Sequence, residues 1–323
     1  MRRISILAIV LVVIAAGWTA AWFYVANLAR QQITALATAD GQSEPRVVCG
    51  RLDIGGYPLY LDVTCGGMTV TSDDLTTTVA EVKASVGIDD IWHTVAFITG
   101  PATFEDAFTG SKYRLDWQNL VASARLTDWR IARISIVGDG FALNETQGSD
   151  NLVAKTAHAE LHLLDLPEQH DAAKHLAALH VYSTLTGLKA PGLQVNDGKS
   201  TFDAQITNLG DDVRTYGDAD MLKRWQAAGG EIKLAGFKGE DGPQNFAVTG
   251  HVGLDAMNRP AGQLAITSKG LVERLGPLVP DQWRAIILGT PSADGSSYSQ
   301  VLNMTNGLAF SGIVPLGTLP PLM

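Results

Sequence analysis

After about residue 45 the chain is dominated by apolar and polar residues alternating at period two. From Ala80 to Ile88, the residues Ala80, Val82, Ala84, Val86 and Ile88 fall on one face and Glu81, Lys83 and Ser85 on the other, the pattern of a half-buried strand. The alternation recurs at Leu59/Leu61/Val63, Leu120/Ala122/Ala124/Leu126, Ala157/Ala159/Leu161/Leu163, Ala177/Leu179/Val181, Phe202/Ala204/Ile206, Ile232/Leu234, Phe246/Val248, Val252/Leu254 and Leu264/Ile266. Turn formers stand between these segments: Gly138-Asp139-Gly140, Asn196-Asp197-Gly198, Gly239-Glu240-Asp241-Gly242 and Asn258-Arg259-Pro260. The sum predicts a mainly β (α+β) fold of stacked antiparallel meanders, forming a curved sheet or a sandwich with one apolar and one wet face. A degenerate repeat points the same way. Leu61 to Val70 followed by Leu75 to Ile88 has the layout of Ile134 to Leu143 followed by Leu152 to Leu164: a strand, a glycine-containing turn or bulge, and further strands.

The N-terminus follows a different pattern. No charged side chain occurs from Ile4 to Ala29, a length that crosses a hydrocarbon core of about 30 Å. Arg2 and Arg3 precede the run, and Trp18, Trp22, Phe23 and Tyr24 lie near its far end as an interfacial belt. This predicts a single-pass anchor at residues 1–29 in a bacterial inner membrane, with a cytoplasmic N-terminus and the bulk of the chain in the periplasm. Thr19-Ala20-Ala21 offers a peptidase site as the competing reading, but apolar character persists to Leu28, beyond a signal-peptide core. Residues 30–45 form a linker broken at Asp40 to Pro45, and residues 46–323 the β-rich domain, as one body or as lobes 46–190 and 191–323. Helices are expected at Ala219 to Ala228, stopped by Gly229-Gly230 and carrying an apolar stripe of Met221, Leu222 and Trp225, and again at Leu271 to Leu275 and Asp281 to Leu288.

A formal net charge of -9 with scattered Lys and Arg excludes nucleic acid as a natural partner and disfavours electrostatic docking on anionic lipid. The two cysteines, Cys49 and Cys65, flank a hairpin turning near Gly55-Gly56. An exported chain favours a disulfide between them over two buried thiols.

Catalytic signatures are absent from the sequence, and no cofactor or metal site is expected: there is no G-x-S-x-G elbow, phosphate loop, C-x-x-C or H-E-x-x-H. Five of the seven histidines, His158, His162, His170, His175 and His180, share one stretch. On a strand His158 and His162 lie about 13 Å apart, too far for one ion, so a solvated polar face is expected. The pairs Asp73-Asp74, Asp89-Asp90 and Asp211-Asp212 read as turns, and Trp92, Trp117, Trp129, Trp225 and Trp283 as core or cross-strand fillers.

Gly56-Tyr57-Pro58 leading to Cys65, Trp225 to Gly230 leading to Gly250-His251-Val252-Gly253-Leu254-Asp255 and Arg259-Pro260-Ala261-Gly262-Gln263-Leu264, and Gly312 to Leu319-Pro320-Pro321-Leu322 together resemble an alphaproteobacterial family of membrane-anchored envelope proteins of unknown function. The chain departs from that pattern at Leu59-Tyr60, where an aromatic followed by a basic residue is expected. In architecture alone it is similar to AsmA-like envelope proteins, whose curved sheets form apolar grooves associated with phospholipid transport. Many strands with one apolar face and few short helices to cover them lead to the same expectation, an apolar ligand, lipid above all, lying along Leu61, Val63, Val82, Val86, Leu120, Leu161, Leu179 and Val181. The alternative is a non-enzymatic scaffold with a closed core that holds an envelope protein partner.

Overall fold

The computed structural model describes residues 2–42, 45–270 and 289–322. It is mostly antiparallel β-sheet, with an N-terminal apolar helix and few short helices, as the alternation predicts. Helix α1 (Arg2–Ala35) precedes β1 (Arg46–Gly55), β2 (Tyr60–Ser72), β3 (Leu75–Gly87), β4 (Asp90–Asp106), β5 (Lys112–Asp116), β6 (Asn119–Thr127), β7 (Arg130–Glu145), β8 (Asn151–Asp165), β9 (Leu176–Ala190) and β10 (Val195–Gly210). Helix α2 (Met221–Ala227) follows, then β11 (Glu231–Asp241), β12 (Gln244–Leu254), β13 (Pro260–Lys269), β14 (Thr290–Pro291), β15 (Ser297–Thr305), β16 (Leu308–Ser311) and β17 (Val314–Thr318). The helices expected at Leu271 to Leu275 and Asp281 to Leu288, with Trp283, lie outside the described residues. Helix α1 runs past Ala29 to Ala35, so the helix takes up the start of the expected linker.

The chain divides into two compact units. One is Met1–Ala122 with Asn144–Asn151, the other Ser123–Leu143 with Leu152–Met323. A division near residue 190 is therefore corrected. There β9 and β10 form one hairpin, registered from Val195↔Ala190 to Gly210↔Leu176, and such a ladder holds both strands in one unit.

In the first unit the β1–β2 hairpin turns at Gly56, whose φ of +94° suits glycine, with Tyr60 N–H donating to the Gly56 carbonyl at 2.9 Å. Cys49 and Cys65 are joined by a disulfide with Cα atoms 5.2 Å apart, beside Gly50 and Gly67, on either side of which the β1–β2 register continues unchanged. A loop of that length contributes on the order of 3 kcal/mol in the chain-entropy account. Register then stacks like with like on one face: Leu61↔Val86, Val63↔Ala84↔Ala96 and Cys65↔Val82↔Ile98.

The second unit carries its core on a comparable face. Rows run Leu163↔Val181↔Ala204↔Leu234 and Leu179↔Ile206↔Ile232↔Val252 across β8 to β12. Helix α2 covers one end of these rows. Trp225 packs with Ile131, Leu179 and Leu209 in the buried cluster, supported by Ile206, Ile232, Met221 and Leu222. Its Nε1–H donates to the Thr207 carbonyl at 2.8 Å. The helix stops where expected, with Gly229 at φ +69°.

Two of the expected turns are corrected. Gly138-Asp139-Gly140 lies inside β7 and Asn196-Asp197-Gly198 inside β10. At the first, Gly140 at φ +68° takes a conformation that glycine adopts freely, so the strand passes through the glycines without reversing. At the second, the β9–β10 register shifts between Val195, Gly198 and Ser200, so these residues make an irregular ladder start. Gly67, at φ +59° within β2, occupies the matching place in the first repeat.

Candidate functional site

The apolar face of the second unit is sealed at the Trp225 end and hollow at the other. There Leu185, Leu188, Leu193, Val195, Phe237 and Phe246 line an open groove of about 410 Å³, to which Lys199, Glu240, Asp241 and Gln244 also contribute atoms. This falls within the roughly 300–1,000 Å³ of small-ligand pockets, whose walls are predominantly apolar. Local sequence builds it. The β10–β11 ladder shifts register between Asp203 and Ala204, placing Phe237 opposite Phe202 on the face that holds Leu234. Phe237 packs edge-on to Phe202 at 6.1 Å and to Phe246 at 5.0 Å between ring centroids. Gly239 pairs with Phe246, and a Cβ there would collide with the phenylalanine ring, so the glycine lets the ring lie across β11.

None of the eight apolar positions chosen from the alternation lines this groove. Leu179, only 2% exposed, is in the sealed core, which corrects its assignment as a ligand contact. Val181 lies in the row next to that core, and Leu161 in the row Leu161↔Ser183↔Phe202↔Phe237 that ends at the groove. Leu61, Val63, Val82, Val86 and Leu120 are half-buried on their own strands. The groove residues that alternation missed are Leu185, Leu188, Leu193, Val195 and Phe237. Phe246 and Phe202 were legible as strand residues, but their convergence depends on the register shift.

On the polar side of β8, His158, Glu160 and His162 form a connected chain. His158 Nδ1 lies 2.7 Å from Asp139 and its Nε2 2.7 Å from Glu160, whose other oxygen lies 3.0 Å from His162 Nε2; His162 Nδ1 lies 2.9 Å from Ser135 Oγ. His180 adds a separate pair with Asp203 at 2.9 Å. The histidine stretch is thus a half-buried network built with β7, and not only a wet face. Among the described residues no group of three His, Cys, Asp or Glu side chains is placed to hold a metal ion. With a carboxylate at each ring nitrogen, His158 satisfies both only as an imidazolium. Asp139 first and then Glu160 accordingly hold its pKa above the ordinary 6.5, and His158 followed by His162 holds Glu160 below 4.5.

The raised histidine stabilises the fold below its ordinary pKa and loses that contribution as pH rises through its folded value. The lowered glutamate stabilises above its ordinary pKa and loses its contribution as pH falls through its folded value. The network is therefore strongest between about pH 4.5 and 6.5. His158→Gln is expected to lower the melting temperature more at about pH 6 than at about pH 8; an equal loss at both would contradict this coupling.

A second concavity, about 480 Å³, lies beside α2 and includes His175, Asp211, Tyr216, Arg224 and Trp225. Burial first, then Asp211 and Asp165, push Tyr216 up to about 12, so it stays a phenol and donates to the Gly210 carbonyl at 2.9 Å. Its visible task is to close the loop before α2. Trp117 and Trp129 are similarly occupied: Trp117 donates to the Ile98 carbonyl at 2.8 Å, and the Arg214 guanidinium lies 4.7 Å over the Trp129 ring.

In the first unit, helix α1 is clasped to the β1–β2 turn. Trp18 Nε1–H donates to the Pro58 carbonyl at 3.1 Å, Trp22 Nε1–H donates to the Tyr60 carbonyl at 2.9 Å, and the Thr19 and Tyr57 hydroxyls are 2.8 Å apart. Tyr57 also meets the Trp22 ring edge-on at 5.6 Å and stacks with Phe23 at 6.2 Å. The motif residues Gly56, Tyr57 and Pro58 thus form a helix-docking turn. Gly230 is equally structural, since a Cβ there would strike the Trp225 ring, and Pro260 and Gly262 begin β13. Beside Pro320 and Pro321, Leu319 N–H donates to the Gly307 carbonyl at 2.7 Å and Leu322 N–H to the Asn258 carbonyl at 3.0 Å.

An N-terminal helix long and apolar enough to cross a membrane, as an anchor does, followed by a large antiparallel sheet, sets the class of this β-protein. The chain belongs to the family described as an uncharacterized protein conserved in bacteria (DUF2125), which it matches over residues 22–320. No curated protein and no solved structure matches it.

Proposed function

We propose that this protein is anchored in the bacterial inner membrane by α1, with its β-sheet in the periplasm, and that it binds an acyl chain of a membrane lipid in the groove between Leu188 and Phe246. The carrying observation is the asymmetry of one apolar face, which Trp225 seals at one end while the other remains a hollow lined by aliphatic and phenylalanine side chains. Apolar surface left concave and uncovered favours a ligand over solvent. The role proposed is binding, because aliphatic and phenylalanine side chains make up most of the wall. The likeness in pattern to AsmA-like envelope proteins supports the same reading.

The test supplies cells with a phospholipid bearing a photoreactive acyl chain and maps the label on the full-length chain. Adducts are expected on peptides from β9, β11 and β12. They should fall several-fold in Phe246→Glu, which puts a carboxylate into the apolar trough, and in Leu188→Trp, which fills it without charge. Labelling that is absent, or unchanged by both substitutions, would favour a scaffold that holds a protein partner.

A further inference from the structure

We infer that the β1–β2 turn is itself a membrane-inserted element, so that the first unit is held to the bilayer by α1 and by Tyr57 to Tyr60 together. The length of α1 sets the depth of the turn. Counting from Ile4, Trp18 lies about 21 Å and Trp22 about 27 Å along the helix, against a hydrocarbon core of about 30 Å. Pro58 is hydrogen-bonded to Trp18 and Tyr60 to Trp22, so the turn sits at a depth where the core has not yet ended. Sliding the helix outward to free the turn would draw Arg2 and Arg3 into hydrocarbon.

The surface of the turn suits that depth. Ile54 to Leu61 contains no charged residue, and yet Tyr57 is 49% exposed, Leu59 61% and Tyr60 53%. The β3–β4 turn is joined to it through Ile88 N–H donating to the Leu59 carbonyl at 3.0 Å, and it presents Ile91 at 66% exposure. Phe23 and Tyr24 extend the same apolar surface along α1. Exposed aromatic and aliphatic side chains in this combination belong at the boundary of headgroups and acyl chains. Asp89, exposed on the β3–β4 turn, limits insertion to that boundary. The contact is apolar, consistent with a chain whose net charge of -9 gains nothing from anionic headgroups. It does not rest on the groove of the second unit.

The experiment places the full-length protein in vesicles of phosphatidylethanolamine and phosphatidylglycerol, with a polarity-sensitive fluorophore on Leu59→Cys, Ile91→Cys or Phe108→Cys and the native disulfide kept oxidised. Phe108, 85% exposed, follows the far end of β4, about 50 Å from Asp90 along the strand. Nitroxide-bearing acyl chains are expected to quench the probes at 59 and 91 but not at 108, and aqueous iodide to do the reverse. Ile91 lies outside the clasp, so its result stands if Leu59→Cys loosens the turn. Iodide access at 59 and 91 equal to that at 108 would overturn the inference. So would shielding of both probes from both quenchers, which would mean a protein surface covers the turn.

Discussion

Gly262→Ala is expected to cost about 3–5 kcal/mol of stability, among the largest effects of any single substitution in the chain. Gly262 has φ +150°, and a Cβ built there would enter the His251 carbonyl and stand 3.0 Å from the Val252 Cα. Gly250 faces the reciprocal problem at φ +141°, its Cβ directed into the Gln263 carbonyl and 2.9 Å from the Leu264 Cα. Both obstacles are backbone atoms of the paired strand, in a ladder that matches Gly250 with Leu264 and Val252 with Gly262. No side chain can turn aside, so β12 and β13 must separate locally. Gly192→Ala is the control, because nothing lies within 4 Å of a Cβ at that position. Urea unfolding of the full chain in detergent should show a sharply lower midpoint for Gly262→Ala and almost none of that loss for Gly192→Ala. Equal midpoints would contradict the close approach of these strands.

Trp225→Ala is expected to cost a similar amount, about 3–5 kcal/mol, for a different reason. The substitution empties the centre of the cluster formed with Ile131, Leu179 and Leu209 and leaves the Thr207 carbonyl without its indole donor. Trp225→Phe separates the two contributions, since it keeps most of the ring volume and forfeits a hydrogen bond worth about 1 kcal/mol. The same unfolding measurement decides the matter: a Phe variant as damaged as the Ala variant would mean that the hydrogen bond, and not the packing, holds α2 over the sheet.

The period-two pattern carried most of the architecture because strand faces are a local property of the sequence. Ala80 to Gly87 lie in β3, with Val82 and Val86 on its apolar face, and the alternation at Ala157 to Leu163 correctly placed His158 and His162 on a strand. Glycine signals were ambiguous, since a glycine at positive φ serves a reversal and a bulge equally well. Gly138-Asp139-Gly140 therefore read as a turn although β7 continues through it. The groove was hidden by the same kind of irregularity. Ile232 and Leu234 set a rhythm that Phe237 breaks, and only the register shift between β10 and β11 returns the ring to the apolar face. Leu179 shows the complementary limit: its strand face was legible, but which end of that face α2 covers depends on contacts distant in sequence. The histidine network needed Asp139 and Ser135 from a neighbouring strand, and no spacing within β8 announces them.

The most direct test of the lipid-binding account is native mass spectrometry of the full-length protein, released from its membrane with a detergent that does not resemble a phospholipid, comparing the natural chain with Phe246→Glu. The account predicts one phospholipid or fatty-acyl adduct per chain, lost in the variant while its melting temperature is retained. A natural chain that arrives free of lipid, or a variant that keeps the same adduct at the same occupancy, would contradict it.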